Sequence, residues 1–470
     1  DPDAELQCVA PRRSKVLYRV SHRAGQWYIT TNVGGSPNMK LMVSPAVADS
    51  QDQWKDLTLD GDNDSSSGEL LFDGGYDRSI SGITSFRSHS VATGREGGLP
   101  QVWFLTFESE ESKTVTDFFR LSFEEDAYDV GLGSNLDHTA DSVVVAYDSL
   151  VTPLSYIRIP LDNPTDLGAR TVLKEKEVPG YDKSLYSCER VTVRSRDGET
   201  DIPVSIVYRS DVMEAAKKEG SSLPTHLYGY GSYNACIEAS FRATRLALLN
   251  RGMVYAIAHV RGGGEMGRQW YEEPKGAKYL CKKNTFFDFV DVARWLTGSS
   301  SSERKITTPQ QLSCEGRSAG GLLIGASLNE APELFRAALL GVPFVDVVPT
   351  MIDASIPLTV VEWEEWGNPN EKKYHDYMME YSPINNVREG GSYPSCLLTG
   401  GLHDPRVQYW EPAKFAAELR HQSSSGNPCC LKIDMAAGHF SASDRYKYLR
   451  ELAFDFAFLL DQMGLTGEKE

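Results

Sequence analysis

The chain has 470 residues, eight cysteines and a formal net charge of -17, with charged and apolar fractions of a globular protein and room for about two domains. The acidic excess argues against a nucleic-acid partner, and no apolar run approaches the roughly 20 residues of a membrane helix, so neither nucleic acid nor membrane is expected as a partner. The stretch from Asp1 to Lys15 lacks the apolar segment of a secretory signal and the cysteines are scattered without a Cys-x-x-Cys pair, so reduced core thiols, a cytoplasmic location and no metal or cofactor are expected.

The first part of the chain reads as one short strand after another: Lys15 to Val20, Trp27 to Thr31, Lys40 to Val43, Val102 to Phe107, Ser142 to Ala146 and Tyr156 to Ile159. Turns separate them, and 60–68 (DGDNDSSSG) is a polar loop. Segments such as Gln101-Val102-Trp103-Phe104-Leu105-Thr106 have the character of β-propeller blade strands, which come in fours every 40 to 50 residues or so. Residues 1–182 are therefore expected to form a partial β-propeller.

The pattern changes near Lys183. Tyr186 to Arg194 and Ile202 to Tyr208 flank Asp197-Gly198, a hairpin signal. Beyond it, apolar strands at His226 to Gly229, Val254 to His259, Leu312 to Glu315, Cys396 to Thr399 and Leu431 to Asp434 alternate with helical segments at 284–297, 320–329, 410–421 and 442–463. Such alternation predicts a parallel sheet with crossover helices. Asn284 or Thr285 is expected to cap the first helix, whose Phe286, Phe289, Val290, Ala293 and Leu296 share a face.

Gly316-Arg317-Ser318-Ala319-Gly320 sits between a predicted strand and a predicted helix. Gly-x-Ser-x-Gly there makes a tight elbow that presents the serine hydroxyl as a nucleophile, and the glycines relieve crowding on either side. Two later strands each end in a small-residue loop with a chemically useful group: Asp404 in Gly400-Gly401-Leu402-His403-Asp404, and His439 in Ala436-Ala437-Gly438-His439. The order Ser, Asp, His along the chain is that of an α/β-hydrolase triad. In such a triad His439 takes the proton of Ser318 while Asp404 holds the imidazole in its tautomer. His403 is a competing base, but a strand residue adjacent to Asp404 points to the opposite face. The fold class is α/β: an α/β-hydrolase domain over residues 183–470 after the incomplete all-β propeller.

Further segments make the chain similar to a known family: Leu227-Tyr228-Gly229-Tyr230-Gly231-Ser232-Tyr233, His259-Val260-Arg261-Gly262-Gly263-Gly264-Glu265, Lys282-Lys283-Asn284-Thr285-Phe286, Val342-Pro343-Phe344, Glu362-Trp363-Glu364-Glu365-Trp366-Gly367-Asn368-Pro369 and Gly401-Leu402-His403-Asp404. It resembles the prolyl oligopeptidase family of serine peptidases, and within it the oligopeptidase B branch, most like its trypanosomatid members. The resemblance implies a peptidase that cleaves short peptides after Arg or Lys and a seven-bladed propeller that screens out folded proteins. It assigns the oxyanion hole to the Tyr230 hydroxyl and the Ala319 N–H, and receipt of the basic side chain to Glu362 and Glu364, which share a face if that segment is extended. Phe344 and Tyr233 are the implied walls around the substrate's methylene stem, and Arg406 the contact to its backbone. Glu238 matches an acid that assists a second basic residue in bacterial relatives, whereas Ser240 stands where they have another acid. Against a full member, an N-terminal segment and about half of the blades are expected to be missing, and a polypeptide supplying them is the expected partner besides substrate. Proline-specific cleavage, a general esterase or acyl-peptide hydrolase, and an inactive fragment with a binding role remain open alternatives.

Overall fold

The computed structural model describes residues 8–46, 51–59, 70–75, 78–299, 305–440 and 445–466; the expected polar loop 60–68 lies outside them. The chain divides into two compact units, one formed by Asp1–Pro179 with Glu238–Phe241 and Glu265–Gln269, the other by Gly180–Ile237, Arg242–Gly264 and Trp270–Glu470.

In the first unit, the described residues form three four-stranded antiparallel sheets. They are β1 to β4 (Tyr18–Arg23, Gln26–Thr31, Lys40–Pro45, Lys55–Asp56), β5 to β8 (Arg78–Ser85, His89–Glu96, Leu99–Phe107, Val115–Arg120) and β9 to β12 (Tyr128–Leu132, Ser142–Ser149, Ser155–Pro160, Thr171–Glu175). Each strand pairs with its sequence neighbour, the meander from which propeller blades are built. Alternation fixes how the sheets stack. Val102 and Phe104 on one face of β7 pack with Tyr128, Val130, Val143 and Val145 of the third sheet, whereas Trp103 and Leu105 on the other pack with Tyr28, Leu41 and Val43 of the first. The expectation had no strands at β4, β5, β6, β8, β9 or β12. Their sequences explain why: RSISGITS is polar and interrupted by glycine, and TVLKE is exposed throughout, so neither carries a clean apolar period.

The second unit is built on an eight-stranded sheet of order β13-β14-β16-β15-β17-β18-β19-β20. The strands are β13 (Tyr186–Arg194), β14 (Asp201–Arg209), β15 (Thr225–Gly229), β16 (Val254–Ala258), β17 (Leu312–Arg317), β18 (Ala337–Gly341), β19 (Ser395–Gly401) and β20 (Cys429–Asp434). β13 and β14 form the hairpin signalled by Asp197-Gly198, β14 runs antiparallel to β16, and pairing is parallel from β16 across to β20. β18 (AALLG) was not expected, because five residues with a buried face on each side lack the alternation that marks a strand. Ala338 and Leu340 enter one core while Ala337 and Leu339 enter the other.

The helices are α1 (Ser210–Glu219), α2 (Leu246–Leu249), α3 (Lys283–Thr297), α4 (Ala319–Glu330), α5 (Val347–Ile352), α6 (Thr359–Trp366), α7 (Lys372–Met379), α8 (Trp410–Gln422) and α9 (Arg445–Gln462). α3, α4 and α8 contribute to the larger core; Leu248, from α2, and Leu459 and Leu460, from α9, belong to the smaller one. α3 buries Phe286, Phe289, Val290, Ala293 and Leu296 as its periodicity predicts. Its start differs from expectation. The residue before it is Lys282, and no side chain caps the helix. Asn284 donates to the Gly276 carbonyl at 2.8 Å and Thr285 to the Arg261 carbonyl at 2.8 Å, so both side chains tie down loops instead.

Candidate active site

Ser318 sits between β17 and α4 with φ 58° and ψ -120°, a conformation that costs an L-residue free energy and persists only where surroundings impose it. The surroundings are specific. The Ser318 N–H donates to the Gly341 carbonyl at 2.9 Å, and its own carbonyl accepts from Gly321 at 2.8 Å and Phe344 at 3.1 Å. A β-carbon on Gly316 would lie 2.1 Å from the Gly320 carbonyl oxygen, so that position of the elbow tolerates hydrogen alone.

Loops after β19 and β20 bring the two partners to this serine. His439 Nε2 lies 3.1 Å from Ser318 Oγ, and its Nδ1 lies 2.8 Å from Asp404 Oδ2. The other Asp404 oxygen accepts from the backbone N–H groups of Arg406, at 2.8 Å, and Val407, at 3.0 Å. The aspartate is therefore locked in rotation and held among donors, buried together with His439. The competing base His403 is exposed.

A cavity of about 230 Å³ opens beside Ser318, lined among others by Tyr230, Tyr233, Ala319, Phe344, Glu362, Trp366 and Arg406. Ala319 is the first residue of α4, where a backbone N–H has no intrahelical acceptor and points outward along the helix dipole. Burial, followed by the neighbouring Tyr228, Glu365 and Glu362, pushes the Tyr230 hydroxyl up to about 12, so it remains a proton donor. Tyr230 and Ala319 thus line the same cavity as Ser318.

The acidic segment differs from expectation. Residues 359–366 form a helix, α6, and positions two apart on a helix point about 200° away from each other. Glu362 lines the cavity. Its Oε2 accepts from the Tyr233 hydroxyl at 2.7 Å and from Trp366 Nε1 at 3.1 Å, leaving Oε1 with no hydrogen bond from any described residue. Glu364 is exposed on another side of the helix, with Tyr279 Oη 3.4 Å from its carboxylate. The two glutamates do not share a face.

Phe344 and Tyr233 both lie against Trp366, with ring centroids 5.3 and 5.7 Å away. These three rings wall the cavity, and Trp366 is a wall that alternation and motif had not singled out. Arg406 lines the cavity too, its guanidinium 5.4 Å from the centre of the Phe440 ring. Glu238 is not among the residues that line the cavity. It belongs to the first unit, where its carboxylate takes two hydrogen bonds from Arg95, at 2.6 and 3.0 Å. The local sequence carries no trace of that pairing, because Arg95 is 143 positions away.

Two buried glutamates that sequence reasoning missed support the site. Glu365 accepts from the Tyr233 N–H at 2.9 Å and from the Tyr271 hydroxyl. Glu411, in the first turn of α8, accepts from the Val345 and Asp346 N–H groups at 2.8 and 2.9 Å and from Thr350 Oγ1 at 2.9 Å. Burial pushes the Glu411 carboxyl up to about 7 despite those donors. In sequence each looks like a solvated helix charge; only packing reveals that it faces inward.

Comparison with known proteins agrees with this architecture. Residues 1–174 match the prolyl oligopeptidase N-terminal beta-propeller domain and residues 239–466 the prolyl oligopeptidase family peptidase domain. The chain is 40% identical to dipeptidyl aminopeptidase BI of Pseudoxanthomonas mexicana over 98% of its length and 58% of the relative's. It is 37% identical to protease 2 of Moraxella lacunata over 100% of its length and 62% of the relative's. Oligopeptidase B from Leishmania major superposes with a TM-score of 0.81 at 41% identity, over 98% of this chain and 60% of that one. The oligopeptidase B of Trypanosoma brucei with covalently bound antipain gives 0.81 and 41% over 98% and 61%. The chain thus spans about three fifths of the length of these relatives. With the elbow, the eight-stranded sheet and the blade meanders all accounted for, the chain belongs to the prolyl oligopeptidase family.

Proposed function

We propose that this chain carries the catalytic centre of a serine oligopeptidase that cleaves short peptides after Arg or Lys through an acyl-enzyme. The observation that carries the reading is the Ser318–His439–Asp404 chain of hydrogen bonds beside a cavity that combines aromatic walls with the Glu362 carboxylate. His439 takes the hydroxyl proton as Ser318 attacks the scissile carbonyl, and Asp404 stabilises the imidazolium that forms. Negative charge then grows on the carbonyl oxygen, facing the Tyr230 hydroxyl and the Ala319 N–H. His439 returns its proton to the leaving amine, and water, activated by the same imidazole, releases the acid from Ser318.

The cavity supports a basic residue. Phe344, Trp366 and Tyr233 suit a methylene stem, and the uncommitted oxygen of Glu362 suits a terminal ammonium or guanidinium. A proline reader would have no use for that carboxylate. The covalent antipain complex of the Trypanosoma brucei relative is consistent with attack by an equivalent serine. The cytoplasm is the proposed compartment, in keeping with eight scattered cysteines that include no Cys-x-x-Cys pair; cell fractionation tests it.

The test is hydrolysis of paired Arg- and Pro-reporting peptides by the chain and by its Ser318→Ala variant, with fluorophosphonate labelling alongside. Faster cleavage of the Arg reporter, label on Ser318, and a loss of about a thousandfold or more in the variant are expected. Preference for the Pro reporter, or unchanged hydrolysis in the variant, would overturn the reading.

A further inference from the structure

Behind the cavity, in the body of the second unit, two opposite charges are buried against one short loop. Lys282 is 1% exposed and Glu365 is 3% exposed, although lysine and glutamate are among the residues least often found fully inside. The Lys282 ammonium donates to the Gly231 carbonyl at 2.6 Å and to Ser232 Oγ at 2.8 Å, and lies 5.1 Å from the centre of the Trp366 ring. Glu365 receives the N–H of the next residue, Tyr233. Burial pushes the lysine down to about 8, and the attraction of Glu365 opposes that shift, so the two charges sense each other.

The loop they grip is under backbone constraint. Gly231, Tyr233 and Asn234 have φ of 70°, 61° and 56°, a region that non-glycine residues seldom occupy. At Gly231 a β-carbon would lie 2.4 Å from Thr285 Cγ2 and 2.7 Å from Val260 Cγ2, so the loop is pressed onto its neighbours. Tyr230 and Tyr233 stand on this loop with their side chains in the cavity. No described residue hydrogen bonds to the Tyr230 hydroxyl, so its position depends on the backbone that carries it.

We propose that Lys282 and Glu365 are positioning residues: together they clamp the 231–233 backbone from the side away from substrate and thereby hold the Tyr230 hydroxyl where the oxyanion forms. The proposal rests on the oxyanion role given to Tyr230 above. Two buried charges with a merely structural role would lower stability without acting through Tyr230. The clamp acts through it.

A double-mutant cycle separates these cases. Steady-state kcat and KM for an Arg-reporting peptide are measured for the chain, Tyr230→Phe, Lys282→Met, and the two combined. We expect Lys282→Met to lower kcat about tenfold or more with KM within about threefold, yet to cost about twofold or less in the Tyr230→Phe background. Lys282→Arg, which keeps the charge, recovers part of the loss. Equal fold-losses of Lys282→Met in both backgrounds overturn the clamp while leaving the oxyanion assignment intact. A Tyr230→Phe variant as fast as the parent overturns the oxyanion role and the clamp together, and an active Ser318→Ala variant overturns the proposed function itself. Should Lys282→Met lose its cooperative melt, the isosteric Glu365→Gln is carried through the same cycle, with the same two outcomes.

Discussion

Glu362 and Glu364 show at the level of single residues how much local geometry decides. Read as extended chain they form a pair; on α6 one faces the cavity and the other faces away. Neutralising them separately therefore has unequal consequences. Glu362→Gln is expected to cut kcat/KM for an Arg peptide about 30-fold or more, because a charge-assisted contact is lost where the cation must be desolvated, while Glu364→Gln changes it by about threefold or less. Parallel kinetics on an uncharged ester separate charge recognition from damage to the triad: that substrate is expected to be hydrolysed by both variants at about the parent rate. Comparable losses in the two variants would mean that the helix presents both carboxylates to substrate. Ser318, Asp404 and His439 were legible in the sequence because each sits in a distinctive short context at a strand end. Glu365, Lys282 and Glu411 were not, since a charged residue in a helix or just before one carries no local mark of whether it faces water or core.

Elements impose their own constraints, and the elbow is the sharpest. Gly316→Ala places a β-carbon 2.1 Å from the Gly320 carbonyl oxygen, a backbone atom that cannot step aside without moving α4. A destabilisation of about 3 kcal/mol or more is expected, checked by chemical denaturation. At α8, Glu411 ties the helix to the β18–α5 connection that carries Phe344. Its carboxyl is raised to about 7 from an ordinary value of 4.5, so between those limits the folded chain keeps a proton that the unfolded chain has released. Folding stability from this group is then complete below about pH 4.5 and is lost as pH rises through 7, at up to about 1.4 kcal/mol per pH unit. Relative to Glu411→Gln, which carries no titrating proton, the parent's melting temperature is expected to fall between pH 5 and 8. A constant difference across that range would contradict the assignment. Strands with a strong apolar period, such as β7 and β10, were read directly from the sequence. β18 and α6 were not, because a strand buried on both faces and a short helix that interleaves glutamates with tryptophans leave no single period to detect.

For the whole molecule, net charge is the property that bears on function. At -17, the chain attracts cations from a distance, an effect that salt screens beyond about 10 Å at 0.1 M. We expect kcat/KM for a dibasic peptide to fall about threefold or more between 20 and 500 mM salt, with an uncharged ester changing by about twofold or less; equal responses would assign the charge to solubility alone. The sequence by itself determined that there are two kinds of unit, blades followed by a parallel sheet with helices, and that the second sets a serine on a Gly-x-Ser-x-Gly elbow with an aspartate and a histidine after later strands. Those features depend on short-range patterns: alternation, glycine at crowded turns, and small loops after apolar strands. Only the tertiary structure decided that Glu362 faces the cavity and Glu364 does not, that Glu238 is held by Arg95, and that Lys282 and Glu365 grip the loop beneath Tyr230. The reason is physical. A buried charge is stable only beside partners from distant parts of the chain, and which partners arrive is settled by packing, after the local patterns have done their work.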